Sequence, residues 1–92
     1  MIQSFKDAWT RELFESGSSR RWASIRALAQ RKLDQLDASS SLDDLRTPPG
    51  NRLEALKGDR SGQHSIRIND QYRICFVWKD DGAHEVEIAD YH

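Results

Sequence analysis

The chain has little of several things that small proteins often depend on. It has a single cysteine, Cys75, so no internal disulfide can brace it, and a thiol inside the apolar stretch "RICFVW" reads as a buried structural group in a reducing compartment. No apolar run approaches the roughly 20 residues needed to cross a bilayer, and the opening "MIQSFKDAW" has neither the basic start nor the long apolar centre of a signal peptide. A soluble cytoplasmic protein that does not engage a membrane is therefore expected. Charge of one sign is not in excess either: 14 basic side chains stand against 15 acidic ones, which argues against nucleic-acid binding by bulk charge alone. His64, His84 and His92 with the one cysteine show no metal-ligand spacing, and no glycine-rich phosphate loop precedes a helix, so no metal site or cofactor is expected. Repeats and low-complexity tracts are also missing.

Small size is the other limit. At 92 residues the chain is expected to form one domain, residues 1–92, with a modest core and no large internal cavity, so that any active site is a surface cleft. The balanced charge is nonetheless segregated. Arg20, Arg21, Arg26, Arg31 and Lys32 run without an acid among them, while Asp34, Asp37, Asp43 and Asp44 follow without a base. Taken alone, the basic run reads as a solvated helix face rather than a nucleic-acid contact. A looser basic set, Arg52, Lys57, Arg60, Arg67 and Arg73, comes later.

Period 3.6 governs the first part of the chain. "SFKD" predicts a helix opening in which Ser4 caps and Asp7 completes a capping box, with the helix running to Glu15 after a short apolar strand at Ile2. "SGSS" breaks it. Ser19 can cap a second helix whose residues Trp22, Ile25, Ala29, Leu33 and Leu36 step by three and four, the spacing of one buried face. The connector "ASSSLDDLRTPPGN" follows, and "NRLEALKG" fits either a strand around Arg52 to Leu56 or the start of a short helix.

Thereafter the period is two. His64, Ile66 and Ile68, then Tyr72, Ile74, Phe76 and Trp78, then Val86 and Ile88 alternate with mostly polar neighbours, and "NDQ" and "KDDGAH" supply hairpin turns. The expected architecture is α+β: two N-terminal helices packed on one face of a small, mainly antiparallel sheet.

Arg67, Arg73 and the chain end then share the face or rim not taken by Ile66, Ile74 and Phe76, and the loop "LKGDRSG" brings Lys57 and Arg60 toward the same rim. Strict alternation puts Tyr91 and His92 on opposite faces, so both reach one site only where the last strand ends or bends. Cations around a tyrosine and a histidine suit phosphodiester cleavage in RNA. A base takes the 2′ proton, cations hold the charge growing on phosphorus, and an acid protonates the departing 5′ oxygen. Singly, each residue also has a plain structural reading: solvated strand arginines, or arginines paired with Glu85 or Glu87, a hydrophilic loop, His64 as a hydrogen-bonding structural residue, and a fraying terminus.

The residues taken together carry more. "SF" near the start, "LKGDRSGQHSIRINDQYRICFVW" in the middle and "VEIADYH" at the end resemble HigB, the "killer" toxins of the RelE/ParE superfamily, over nearly the whole chain. The resemblance implies a RelE-like fold and ribosome-dependent cleavage of mRNA. It also implies a HigA-type helix-turn-helix antitoxin, through which alone the complex contacts operator DNA. It assigns Lys57, Arg73, Asp90, Tyr91 and His92 to catalysis, and Arg60 and Arg67 to RNA contact. Glu54 stands where some relatives have a histidine; a carboxylate there can act as a base or orient Lys57. Two rivals differ in class: a ParE-like non-enzymatic inhibitor of DNA gyrase, which has no need of the catalytic set, and a partner- or DNA-binding accessory domain, for which a helix-turn-helix pattern is lacking.

Overall fold

A computed structural model describes residues 1–90 of the chain. Helices α1 (Ala8–Ser16) and α2 (Arg26–Ala38) precede strands β1 (Glu54–Ala55), β2 (His64–Arg67), β3 (Tyr72–Lys79) and β4 (Gly82–Asp90). The strands form an antiparallel meander in the order β1-β2-β3-β4. The ambiguous "NRLEALKG" segment thus supplies a short edge strand.

Period-two alternation sorts the sheet into two faces. Ile66, Ile68, Ile74, Phe76, Val86 and Ile88 point to one side and are buried against Leu13 of α1 and the stripe Trp22, Ile25, Ala29, Leu33 and Leu36. That stripe is buried as its spacing requires, although its first residues form a 3₁₀ turn, Ala23–Ile25, rather than α-helix. Ser19 Oγ accepts from Trp22 N at 3.1 Å and so starts the turn, not α2 itself.

The chain start departs from expectation. Asp7, not Ser4, caps α1, accepting from Thr10 N at 2.7 Å. Ser4 is unavailable because residues 1–6 lie alongside β4 in parallel, with bridges Ile2 to Ala83 and Phe5 to Val86, and Ser4 Oγ accepts from Glu85 N at 2.9 Å. The helix ends on Ser16 because Gly17 takes the left-handed conformation (φ 72°) that glycine reaches without steric cost.

A bulge shapes β4. Cys75 faces Glu87 and Val77 faces His84, so Glu85 and Val86 together oppose Phe76, with Glu85 at φ 53°. The extra residue lets Ala83 and Val86, three apart, both enter the core. It also returns Glu87 to the sheet face opposite the helices.

The two basic sets divide differently. Arg20, Arg21, Arg26 and Arg31 are exposed, with Arg21 over both the Trp9 and Trp22 rings. Lys32 instead turns inward and donates to Oδ1 of Asn51, whose amide nitrogen donates to Gln35 Oε1 and to the Leu45 and Thr47 carbonyls. Burial, helped by Arg31, pulls the Lys32 pKa down. Asn51 is fully buried and pins the connector to α2.

Candidate active site

Register builds the helix-free face row by row. Glu54, Ser65, Cys75 and Glu87 are successive cross-strand partners from β1 to β4, and Arg67 faces Arg73 in the next row. Side chains that are direct partners share a face, so this row forms a floor of two carboxylates around a hydroxyl and a thiol. Ser65 and Cys75 are fully buried although no helix covers them. The long cations Arg73, Arg60 and Lys6 help to cover this face. Among the described residues no enclosed pocket is present; the site is an open sheet face.

Arg73 is held by several partners. Its Nε donates to Ser65 Oγ at 2.7 Å, and Nη2 donates to the Arg52 carbonyl at 2.6 Å and lies 3.6 Å from Glu54 Oε1. The Arg52 carbonyl is presented by a backbone at φ 46°, a left-handed conformation uncommon in a residue with a side chain. Fixed on three sides, with 12% of its side chain exposed, the guanidinium has little rotamer freedom left to lose on meeting an anion.

Arg60, from the loop between β1 and β2, reaches Glu87 on β4. It donates from Nη1 to Gln63 Oε1 at 3.1 Å and to Glu87 Oε2 at 3.2 Å. Lys6, carried by the segment beside β4, places Nζ 3.1 Å from the same Glu87 oxygen. These groups all act on the Cys75 thiol: burial pushes its pKa up and Glu87 adds to that, while Arg60, Arg73 and Lys6 oppose it. The thiol is therefore kept protonated at neutral pH, unsuited to act as a nucleophile.

The remaining sequence-selected residues are distributed as follows. Glu54 meets Arg73, and no hydrogen bond or ion pair joins it to Lys57 among the described residues. Lys57 is exposed where the 3₁₀ turn Gly58–Arg60 begins, its carbonyl accepting from Arg60 N at 3.2 Å. Arg67 shares the Arg73 face and pairs with Asp70. Asp90 is the cross-strand partner of Tyr72 and accepts from Gln71 Nε2 at 3.3 Å; alternation sets it with Ile88 rather than with Arg73. Tyr91 and His92 lie outside the described residues.

His64 packs its ring against Phe76, centroids 6.3 Å apart. Its buried Nδ1 has no partner among the described residues, so the structural hydrogen-bonding role read for it is not seen. Sequence reasoning did not select Lys6 or Ser65, and it named Glu87 only as a partner for the strand arginines, whereas Glu87 pairs with Lys6 and Arg60. Glu87 was detectable as the polar residue between Val86 and Ile88, whereas Lys6 joins the site only through non-local pairing.

Comparison with known proteins bears on what such a face does. The family model described as "RelE-like toxin of type II toxin-antitoxin system HigB" matches residues 3–92. Toxin HigB-1 of Vibrio cholerae is 45% identical over 85 residues, which cover 90% of this chain and 90% of that protein. Endoribonuclease HigB of Proteus vulgaris is 32% identical over 93 residues, covering both chains completely. Among solved structures, the YoeB-YefM complex from Staphylococcus aureus contains a chain that superposes with a TM-score of 0.61 at 16% identity, covering 100% of this chain and 98% of that one, a likeness of fold.

Proposed function

The chain belongs to the RelE-like HigB toxins of type II toxin-antitoxin systems, and from that premise we propose that it is an endoribonuclease that cleaves mRNA on the translating ribosome. The endoribonuclease name of the Proteus vulgaris relative supports the activity. From this chain, the single observation that carries the reading is Arg73, a guanidinium locked on an open sheet face by Ser65 Oγ and the Arg52 carbonyl.

In this mechanism the 2′ oxygen attacks the neighbouring phosphorus as its proton passes to a base. The bond to the 5′ oxygen breaks, that oxygen takes a proton from an acid, and a 2′,3′-cyclic phosphate remains upstream. Arg73 and Lys57 stabilise the charge gathering on the phosphoryl oxygens, since cations fixed before the reaction need no reorganisation during it. We assign the acid-base group to the strand end Asp90, Tyr91 and His92, with Asp90 on the Ile88 side of the sheet rather than beside Arg73; His92, with a reference pKa of ~6.5, exchanges protons readily near neutrality. Glu54 tunes Arg73, and Arg60 and Arg67 contact RNA. The cations supply the electrostatic work for which other nucleases use divalent ions, so the chemical step requires none.

An antitoxin is the partner that the family implies. We assign it to the HigA type, with operator DNA contacted only through the complex. The near-neutral charge fits a toxin that relies on the ribosome to align its substrate. No helix among the described residues is long and apolar enough to cross a membrane, and we place the protein in the cytoplasm with its ribosomes. Gyrase inhibition gains no support from the HigB matches.

The test is to induce the protein and map 5′ ends on translated and untranslated copies of one message. Cuts confined to the translated copy are expected. Intact mRNA with damaged DNA would instead establish the gyrase mechanism.

A further inference from the structure

Glu87 stands out because a carboxylate only 14% exposed is ion-paired with two cations that arrive on different parts of the chain. Lys6 comes from the segment beside β4, Arg60 from the loop between β1 and β2, and both reach Oε2, at 3.1 and 3.2 Å. Stability is a poor explanation for the arrangement. Removing a carboxylate from water is costly, and its pairing only roughly offsets that cost. Lys6 keeps half of its side chain in solvent, open to an anion.

The geometry relative to Arg73 is specific. Arg73 is bonded to Ser65, and Ser65, Cys75 and Glu87 are successive partners in one row. Two strand spacings, roughly 10 Å, therefore separate the Ser65 and Glu87 ends, with the uncharged thiol between them. A strand of RNA laid across the sheet meets cations at both ends of that row.

We propose that Lys6 and Arg60, tied together by Glu87, form a second contact for the backbone of the message, flanking the Arg73 contact, with Glu87 as a positioning residue. Lys6 and Arg60 hold a phosphate beside the scissile one, and Glu87 fixes their separation while the ribose and phosphorus are brought into line. This inference rests on the ribosome-dependent nuclease reading.

Single-turnover cleavage of one programmed message on ribosomes, with toxin concentration and salt varied, tests it. Lys6→Gln is a surface change and Arg46→Gln, in an exposed pair with Asp43 in the connector, is its control. For Lys6→Gln the half-saturating concentration should rise severalfold, the saturating rate should hold, and the slope of log affinity against log salt should become shallower by about 1. For Glu87→Gln the saturating rate should fall severalfold without a rise in half-saturating concentration, because a negative charge has left the path of the RNA. A Glu87 role confined to folding would instead lower the melting temperature and move both parameters with the folded fraction, which overturns the proposal. So would a Lys6→Gln response equal to that of Arg46→Gln, or an equal loss of affinity for ribosomes lacking a message. Failure of the wild-type protein to cleave on ribosomes is a different result: it removes the nuclease reading, and this inference with it.

Discussion

At the scale of the residue, Arg73 and Cys75 show how neighbours set chemistry. Arg73→Ala should lower the saturating cleavage rate on the order of 10²–10³, the usual loss for one preorganised electrostatic donor, with ribosome binding changed far less. Arg73→Lys should recover little, because an ammonium cannot satisfy Ser65 Oγ and the Arg52 carbonyl while also presenting a planar fork. Rate and binding measured on the same ribosome preparation separate these outcomes. Cys75 gives a pH dependence. Its folded pKa is raised, so the unfolded thiol ionises first as pH climbs, and stability complete below the ordinary thiol value is lost above it. Urea unfolding at a series of pH values should show an alkaline decline that is weaker in Cys75→Ala. Both residues could be assigned to one face of a strand from the alternation. Their partners could not, since Arg52 and Ser65 come close only when β1, β2 and β3 are paired.

At the scale of the element, the segment beside β4 and the β4 bulge do the most to assemble the face. Gly82 sits at φ 127°, and a Cβ there would lie 1.9 Å from the Met1 carbonyl oxygen, which accepts from Ala83 N at 3.0 Å. Gly82→Ala should therefore push the first residues off β4, destabilising the fold by about 1–3 kcal/mol in denaturant titrations through strain and the lost pairing. It should also reproduce the weakened half-saturation of Lys6→Gln, because Lys6 travels with that segment. The hydrophobic pattern registered Val86 and Ile88 but carried no mark of the extra residue at Glu85. A bulge is a mismatch between two strands, and a single strand read alone does not contain it.

At the scale of the whole molecule, the role proposed for Tyr91 and His92 predicts that fold and activity can be separated at the end of β4. Removing Tyr91 and His92 leaves Val86 and Ile88 buried in the core and β4 paired along β3. The shortened protein should unfold cooperatively and still bind antitoxin, yet leave mRNA intact and be tolerated by cells lacking antitoxin. Full toxicity from the folded truncation would exclude Tyr91 and His92 from the chemistry. What the amino-acid sequence determined by itself follows from periodicity and local motif: two helices before an antiparallel sheet, the apolar stripe of α2, the strand faces and the signatures of the HigB resemblance. Those features depend on spacing along the chain, which burial converts directly into structure. Tertiary structure alone decided that Asp7 rather than Ser4 caps α1, that Lys32 turns in to Asn51, and that Glu54 meets Arg73. It also decided that Glu87 gathers Lys6 and Arg60 into one group. The physical reason is long-range pairing: Ser4 is engaged by Glu85, and Lys32, Glu54 and Glu87 each take a partner that folding brings within reach, whose distance along the chain, 81 residues from Lys6 to Glu87 by their numbers, leaves no periodic trace.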